Sequence, residues 1–548
     1  MGGSWIFSAL LKESGARRNR PELPFLAPGR TARCPPAGRL SGGRRVEIDI
    51  RAGRRLRESA GARAAVAPMV EALCRSDADL AEMRVVCDWI QYKANFRDTV
   101  MVRPVIAADG PTVTSVAGYE LAVDLRRCAS PETDVAGEVT AALSEAVHVT
   151  RGTAAGAGGL GGGAVDRVWL EPWVPGSGSC VWRFNALYWQ ALAAWEKTTG
   201  KDYEQTLPGG ESDGRNSAAA REVILDLFSS WDELASRRAL PEQLYVIELG
   251  VGNGGQARTW LDEFVELDRR HGRDYYRRLH YLMGDYSAHV LDRARQEVAH
   301  HGDHVSGLVL EATRLSGSVG FLAGKAFLVY VSNVYDNLPS DEIAVIRGRM
   351  YLVQTRSYLA GAAADAIAGR FGLKRAEIAP LTERLLRIGP ELLAESQPDR
   401  FPDTGQAVLF WQAVWEALRQ AERYVPLEGL DTYRITPAVT GEILRPLLAA
   451  EGDVRMHVSN GALSSFADTL PLLHPFGRLV CHDLFTTSPG EYRGSFHGPG
   501  KYDGSVVNWV NGPLLQLLAS RRGFGVRFSP FKQRPASNVK TLTAQVRD

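Results

Sequence analysis

The stretch "YVIELGVGNGGQ", residues 245–256, joins an apolar run to a turn that carries four glycines. Leu244 to Leu249 has the length and apolar content of a buried strand. Glycine lets the following turn adopt positive φ and lets a ligand approach the backbone closely. The pattern predicts a strand over 244–249, a nucleotide-binding turn, and a helix over 254–272. Gly250, Gly252 and Gly255 satisfy GxGxxG, but so does "GAGGLG" at 156–161. That second copy lies in "RGTAAGAGGLGGGA" (151–164), with no strand before it and no amphipathic helix after it, so it reads as a linker. Glycine spacing alone therefore decides nothing; what surrounds it does.

Downstream, strands and helices alternate. Strands are expected at 279–285, 307–312 and 326–333, a helix at 287–300, and a short helix from about 340. Residues 361–450 break the pattern as a helical insertion or cap, including "AVLFWQAVWEALRQAERY" (407–424). The pattern resumes with a strand at 454–460, a helix near 461–474, a strand at 477–485, a helix at 512–522, and an antiparallel pair at 524–529 and 540–547. This order predicts an α/β fold: a mainly parallel, seven-stranded, Rossmann-like sheet with a reversed last strand and helices on both faces. The core is split into 181–360 and 451–548. Ahead of it stand a disordered basic tail (1–60) and an α/β region (61–180). That region has helices expected at 66–74 and 134–147, and strands at 99–107 and 119–125. Helices at 184–200 and 218–237 lead into the core.

Composition bounds the class. The 548 residues are 45% hydrophobic and 23% charged, with net charge +1, as in a soluble globular protein of several units. Residues 1–60 hold 13 Arg and Lys against 5 acids. A run of this kind without interleaved aromatics reads as solvated, so no nucleic-acid partner is expected. No apolar run reaches membrane-spanning length, and "WIFSALL" (5–11) lacks the flanks of a signal peptide. A cytoplasmic location is expected, with an organelle transit peptide as the lesser reading of the Arg-rich start. The cysteines at 34, 74, 87, 128, 180 and 481 form no CxxC pair and read as reduced thiols; no metal site is expected.

The charge around the turn selects between cofactors. Glu248 stands two residues before Gly250 and is expected on the strand face of the turn. There an acid repels a pyrophosphate but suits the sulfonium and ammonium of S-adenosylmethionine (SAM). Asp285, in "MGDYS", ends the second strand and is expected to hold ribose hydroxyls, with Tyr286 beside it. Glu311 and Ala312 follow the third strand, near an adenine. Asn333 to Pro339, "NVYDNLP", follows the fourth strand and faces the reacting end of the cofactor. Asn333 and Asp336 there suit positioning of a nucleophile, and Pro339 is expected to launch a helix with Asp341 and Glu342 in its first turn. His482 and Asp483 are secondary candidates, but strand neighbours point to opposite faces, so no dyad is expected between them. "HVSNG" (457–461) reads as a strand-to-helix cap.

"IELGVGNGG", "MGDYS" and above all "SNVYDNLP" resemble the class I SAM-dependent methyltransferases of the MidA-like family, relatives of a mitochondrial complex I assembly factor that methylates a protein arginine. "GRLVCHDLF" (477–485) and "SVVNWVNGPLLQLLASRRGF" (505–524) are similar to later family segments. The resemblance covers about 244–350 and 455–530. It implies a class I methyltransferase fold and SAM as cofactor. It makes Glu248, Gly250, Gly252, Gly254 and Asp285 cofactor residues, and Asn333 and Asp336 active-site residues. The methyl acceptor would be a protein side chain, arginine by resemblance, or a small molecule. Val251 and Asn253 depart from the family's turn. Trp509 and Asn511 stand where the family has His and Asp, on the acceptor side. Two other readings use the same residues: a SAM-binding assembly factor without catalysis, and a nicotinamide-dependent oxidoreductase.

Overall fold

The computed structural model describes residues 30–33, 45–51, 69, 83–107, 116–130, 132–154, 166–201, 217–494, 497–534 and 537–547. The opening stretch forms an interior strand of a seven-stranded sheet. Its strands are β1 (Leu244–Leu249), β2 (Leu279–Asp285), β3 (Val305–Val309), β4 (Ala326–Ser332), β5 (Leu473–Asp483), β6 (Phe524–Pro530) and β7 (Lys540–Val546). Their order is β3-β2-β1-β4-β5-β7-β6. The first five run parallel, and β7 inserts antiparallel between β5 and β6.

Alternation in β1 sends Ile247 and Leu249 into one apolar layer and Leu244 and Val246 into the other. The second layer contains Trp231 of the helix Ser217–Ser236, and Trp260 and Phe264 of α1 (Gly255–Arg270). The first contains Phe466 of α3 (Asn460–Thr469) and Leu514 and Leu515 of α4 (Gly512–Arg521). Between them in the chain, α2 (Ala288–Glu297) follows β2. A sheet buried on both faces accounts for the near-continuous apolar runs of β1 and β4.

A second sheet crosses the boundaries expected from sequence. Its strand order is 30–33, 45–51, 83–88, 116–124, 100–106, 419–426, 349–360, 342–346, 454–457, with 167–169 and 174–175 also pairing with 349–360. Strands from the 61–180 region and from the 361–450 insertion thus share one sheet. Residues 30–33 and 45–51, expected within a disordered tail, form two of its strands. The expected helix at 66–74 (Met69 apart), most of the Gly-rich loop, Cys34 and Cys74 lie outside the described residues. Cys87, Cys128, Cys180 and Cys481 are buried free thiols. No helix among the described residues is long and apolar enough to cross a membrane.

Three local expectations are corrected. The helix from about 340 is instead a hairpin, Glu342–Ile346 with Arg349–Ala360. Arg347 and Gly348 both have positive φ, 49° and 76°, as a two-residue type I′ turn requires. The helix over 407–424 stops at Ala417, and Arg419–Pro426 is a strand whose Gln420, Glu422 and Tyr424 alternate inward. Val454–His457 joins the second sheet, beside Glu342–Ile346, rather than the first.

Where strand 419–426 meets strand 100–106, Tyr424 stands opposite Val105, and a buried charge network cross-links the seam. Arg103, 0% exposed, contacts Glu120 at 2.6 Å and Glu422 at 2.7 Å. Arg97 donates from Nε to Glu422 at 2.9 Å. Arg455 grips Glu342 through two bonds of 2.6 Å and also reaches Glu422 at 2.9 Å. The Tyr424 hydroxyl donates to Glu120 at 2.6 Å. Burial alone would raise the carboxyls, but the surrounding guanidiniums win and hold Glu120 and Glu422 well below the usual range. A cavity of about 40 Å³ lies against this network, between Phe96 and Trp182 on one side and Glu342, Thr355 and His457 on the other. Removing one member leaves the others as uncompensated buried charges. Glu422→Ala is therefore expected to lower stability by about 3–5 kcal/mol, read as a fall in the urea midpoint; an unchanged midpoint contradicts the assignment.

Candidate active site

The turn after β1 is held open by its glycines. Gly250, Gly252 and Gly254 have φ of 74°, 57° and 84°. A Cβ on Gly250 would stand 2.4 Å from Val334 Cγ2, and one on Gly254 2.6 Å from the Ala294 Cα. The Gly250 N–H bonds the Gly284 carbonyl at 2.7 Å, which sets the turn against the end of β2. Asp285 closes the cradle: its carboxylate accepts from the Gly252 N–H at 3.3 Å and the Ser287 N–H at 3.0 Å. Burial raises the Asp285 carboxyl to about 6, against three backbone donors that lower it. Tyr286 is 37% exposed, and its hydroxyl accepts from Gln190 at 2.8 Å. The structure thus brings Gly250, Gly252, Gly254 and Asp285 together. Glu311 is exposed at the rim, bonded to its neighbour Thr313, and Ala312 is half-buried beside it.

Glu248 is not where the charge argument placed it. Its parity puts it on the Val246 face of β1, beneath α1, where it is 3% exposed and accepts from the Tyr281 hydroxyl at 2.7 Å. The Tyr281 ring lies 5.2 Å from Trp260. Burial, aided by the Asp285 charge, raises the Glu248 carboxyl to about 8. At neutral pH the group is mostly protonated, a buried hydrogen-bonding acid under the turn rather than an open anion facing a cation.

Past β4, "NVYDNLP" folds into a tight turn. Asn333 adopts φ 52° and donates its N–H to the His482 carbonyl at 2.9 Å. Asp336, 5% exposed, sits in the 3-10 turn Tyr335–Asn337 and accepts from Asn337 Nδ2 at 2.7 Å. Asp483, 0% exposed, accepts the N–H groups of Tyr335 (2.8 Å), Asp336 (3.3 Å) and Leu484 (2.7 Å). His482 points to the opposite face and bonds Thr541 at 2.9 Å. Burial first, and the charge of Asp483 second, lift Asp336 far above the carboxylate range; burial raises Asp483 to about 6. The two acids are linked by a side-chain hydrogen bond, and a charge on Asp483 disfavours ionisation of Asp336, as expected of close carboxyls.

Sequence reasoning missed the wall facing this pair. Tyr92, from the N-terminal region, has a buried hydroxyl, and its titration is raised by burial and by Asp336 and Asp483. The Tyr92 hydroxyl is buried beside the Trp509 indole, and a side-chain hydrogen bond with Trp509 works against that rise. Asn185 of the helix Cys180–Gln190 donates to the Asn337 carbonyl at 2.8 Å and accepts from the Val506 N–H at 2.8 Å. With Gln190 on Tyr286, that helix spans from the acid pair to the nucleotide turn. Nothing near Tyr92 or Asn185 in the sequence carries a motif; their roles come from tertiary contact. Asn511, by contrast, is structural: it caps α4 at the Leu514 N–H and bonds the His457 carbonyl at 2.8 Å. "HVSNG", expected to cap α3, makes no side-chain cap there: Asn460 bonds Asp341, and the Ser459 hydroxyl accepts from the Asn511 N–H.

No family model matches the chain, and no curated protein matches it. Among solved structures, a COG1565 superfamily protein from Burkholderia thailandensis overlaps 68% of this chain and 87% of its own, at 12% identity and TM-score 0.39. A COG1565 superfamily member from the same organism, bound to S-adenosyl-homocysteine, overlaps 68% and 88%, at 13% identity and TM-score 0.38. The 1,6-didemethyltoxoflavin-N1-methyltransferase of that organism, bound to its substrate and S-adenosylhomocysteine, overlaps 70% and 100%, at 8% identity and TM-score 0.29. At such scores the overlap bears on neither ligand nor substrate of this chain.

The placement of Glu248 has a pH signature. An unfolded glutamate titrates near about 4.3, and the folded one at about 8. Between these values the unfolded chain has released the proton that the folded chain keeps, so the contribution of Glu248 to stability is lost as pH rises through the window. Glu248→Gln keeps an acceptor for Tyr281 and has no proton to lose. Its stability relative to wild type is expected to grow from about pH 5 to about pH 9, measured by thermal unfolding. A gap independent of pH contradicts the assignment.

Proposed function

We propose that this chain is a class I SAM-dependent methyltransferase whose acceptor group is deprotonated by the Asp336–Asp483 pair. The observation that carries this reading is the sheet order β3-β2-β1-β4-β5-β7-β6, with β7 reversed and the glycine turn and Asp285 together at the carboxyl ends of β1 and β2. A dinucleotide-binding sheet of the usual kind runs 3-2-1-4-5-6 without a reversed strand inserted before the last, so the topology favours SAM over a nicotinamide cofactor even though the charge of Glu248 does not. The "SNVYDNLP" resemblance to the MidA-like family supports the same choice.

The residues fit the cofactor. Each Asp285 oxygen already accepts one backbone N–H, which aims the carboxylate and leaves capacity for the two ribose hydroxyls. The positive-φ glycines leave room where side chains would collide, and the N-terminus of α1 suits the amino-acid carboxylate. Tyr286, Glu311 and Ala312 flank the nucleoside end. SAM, when bound there, would supply an electrophilic methyl on sulfonium, with the neutral thioether as its leaving group.

The protein's part is orientation and proton removal. Asp336 and Asp483 with one proton between them present one carboxylate, which takes the N–H or O–H proton of the acceptor as the new bond to carbon forms. Asn333 and Asn337 fix the turn that carries Asp336. The Tyr92 hydroxyl, hydrogen-bonded to Trp509, adds a polar group beside the acids. Paired carboxyls at the end of a buried site suit a polar group carrying several N–H bonds. An arginine guanidinium, implied by the resemblance, has this form, as do small-molecule amines and amides.

Calorimetry with SAM and S-adenosylhomocysteine is expected to show micromolar binding that Gly252→Val and Asp285→Ala abolish, with no heat from NAD. Wild-type affinity in both variants, or binding of NAD instead, overturns the reading. Asp336→Asn is expected to bind SAM like wild type while losing about 10²–10⁴-fold in methyl transfer to a responsive acceptor; full turnover in that variant removes the acid pair from the chemistry.

A further inference from the structure

On the outer face of the first sheet, away from the glycine turn, three metal-ligating side chains converge. Asp262 lies on α1, seven residues past its first residue and so about 10 Å along the helix. His300 and His301 follow α2 in "AHHGDH" (299–304). The Nε2 atoms of His300 and His301 approach the same Asp262 oxygen, at 3.0 Å and 3.1 Å. The two imidazole rings are 4.0 Å apart. One ligand atom from each residue falls within 4.8 Å of the others.

We infer that Asp262, His300 and His301 form a site for a divalent transition metal of the zinc class, with water completing the coordination. In a tetrahedral site with bonds near 2.0–2.1 Å, ligand atoms stand about 3.3 Å apart. The observed separations open to that value by small side-chain rotations. Two imidazole nitrogens select zinc, nickel or copper over magnesium or calcium, which take oxygen.

A carboxylate bonded to two surface histidines needs no metal, but the arrangement here goes further. His301 is 5% exposed, and its Nδ1 is bonded to the Tyr276 hydroxyl at 2.7 Å. Tyr276 is in turn packed against the His304 ring, with centroids 4.0 Å apart. A partner on Nδ1 that aims Nε2 outward is the usual support of a metal-bound histidine. Proton bookkeeping closes without an added base. Without metal, the tyrosine donates to Nδ1 and Nε2–H donates to Asp262. With metal, Nε2 gives its lone pair to the ion, and Nδ1–H donates to the tyrosine oxygen.

The position gives such an ion a consequence. Asp262 belongs to the helix launched from the glycine turn, and the two histidines follow the helix launched beside Asp285. A bound ion clips these helices together on the side remote from the cleft and so braces both walls of the nucleotide cradle, whatever the cradle binds.

The test uses the full chain without a polyhistidine tag, freed of metal with EDTA, dialysed, and titrated with Zn²⁺ by calorimetry and with Co²⁺ by visible absorption. Wild type is expected to bind one Zn²⁺ with micromolar or tighter affinity, to show Co²⁺ ligand-field bands, to gain thermal stability with Zn²⁺, and to show none of these with Mg²⁺. The side chains of His300 and Asp262 are about half exposed, so His300→Ala and Asp262→Asn should unfold like wild type in EDTA. Each is expected to weaken Zn²⁺ at least about tenfold and to lose the thermal gain. Absence of saturable Zn²⁺ binding in wild type, or binding unchanged in both variants, overturns the site.

Discussion

The buried charge network joining Arg97, Arg103, Arg455, Glu120, Glu342 and Glu422 is the constraint on which the remainder of the fold depends. Arg97 precedes strand 100–106, and the other members come from strands 100–106, 116–124, 342–346, 419–426 and 454–457, segments far apart in the chain. Charges taken out of water at this depth must be mutually satisfied, or each costs several kcal/mol. A register error in any one strand would strand a charge among the others. The network therefore ties the N-terminal region and the insertion into one sheet. It also anchors Glu342, three residues beyond Pro339, and with it the turn that carries Asp336.

Around the cleft the same low-polarity interior acts in the opposite direction. Where guanidiniums are close, Glu120 and Glu422 are held ionised; where none is near, Glu248, Asp285, Asp336 and Asp483 are all raised. The first group holds the architecture, and the second is poised to exchange protons near neutrality. Asp336 and Asp483 stand out because two acids meet across a loop and a strand end, with the Tyr92 hydroxyl nearby.

Much of the first sheet was legible because its signals are local. Continuous apolar runs bounded by Gly, Asp or Asn mark β1, β2 and β4, and the helices after them carry an apolar stripe. The errors fell where local signals compete. "DEIAVI" after Leu338-Pro339 reads as a helix start until the Arg347-Gly348 turn is weighed, and "LRQAERY" continues a helical pattern that the period-two burial of Gln420, Glu422 and Tyr424 overrides. Of the candidate site, the glycines, Asp285, Asn333 and Asp336 were singled out by motif position. Tyr92 and Asn185 carried no signal, and the partnership of Asp483 with Asp336 was hidden because only the neighbouring His482 was considered.

The amino-acid sequence by itself determined the α/β alternation, the glycine turn and the acids at the strand ends, because periodicity and φ preference act over a few residues. Only the tertiary structure decided which way Glu248 faces, which sheet receives Val454–His457, and that acids 147 residues apart meet. Those outcomes depend on strand parity against a packed layer and on charge neutralised at depth. Both are properties of the assembled interior, which no short window of sequence contains.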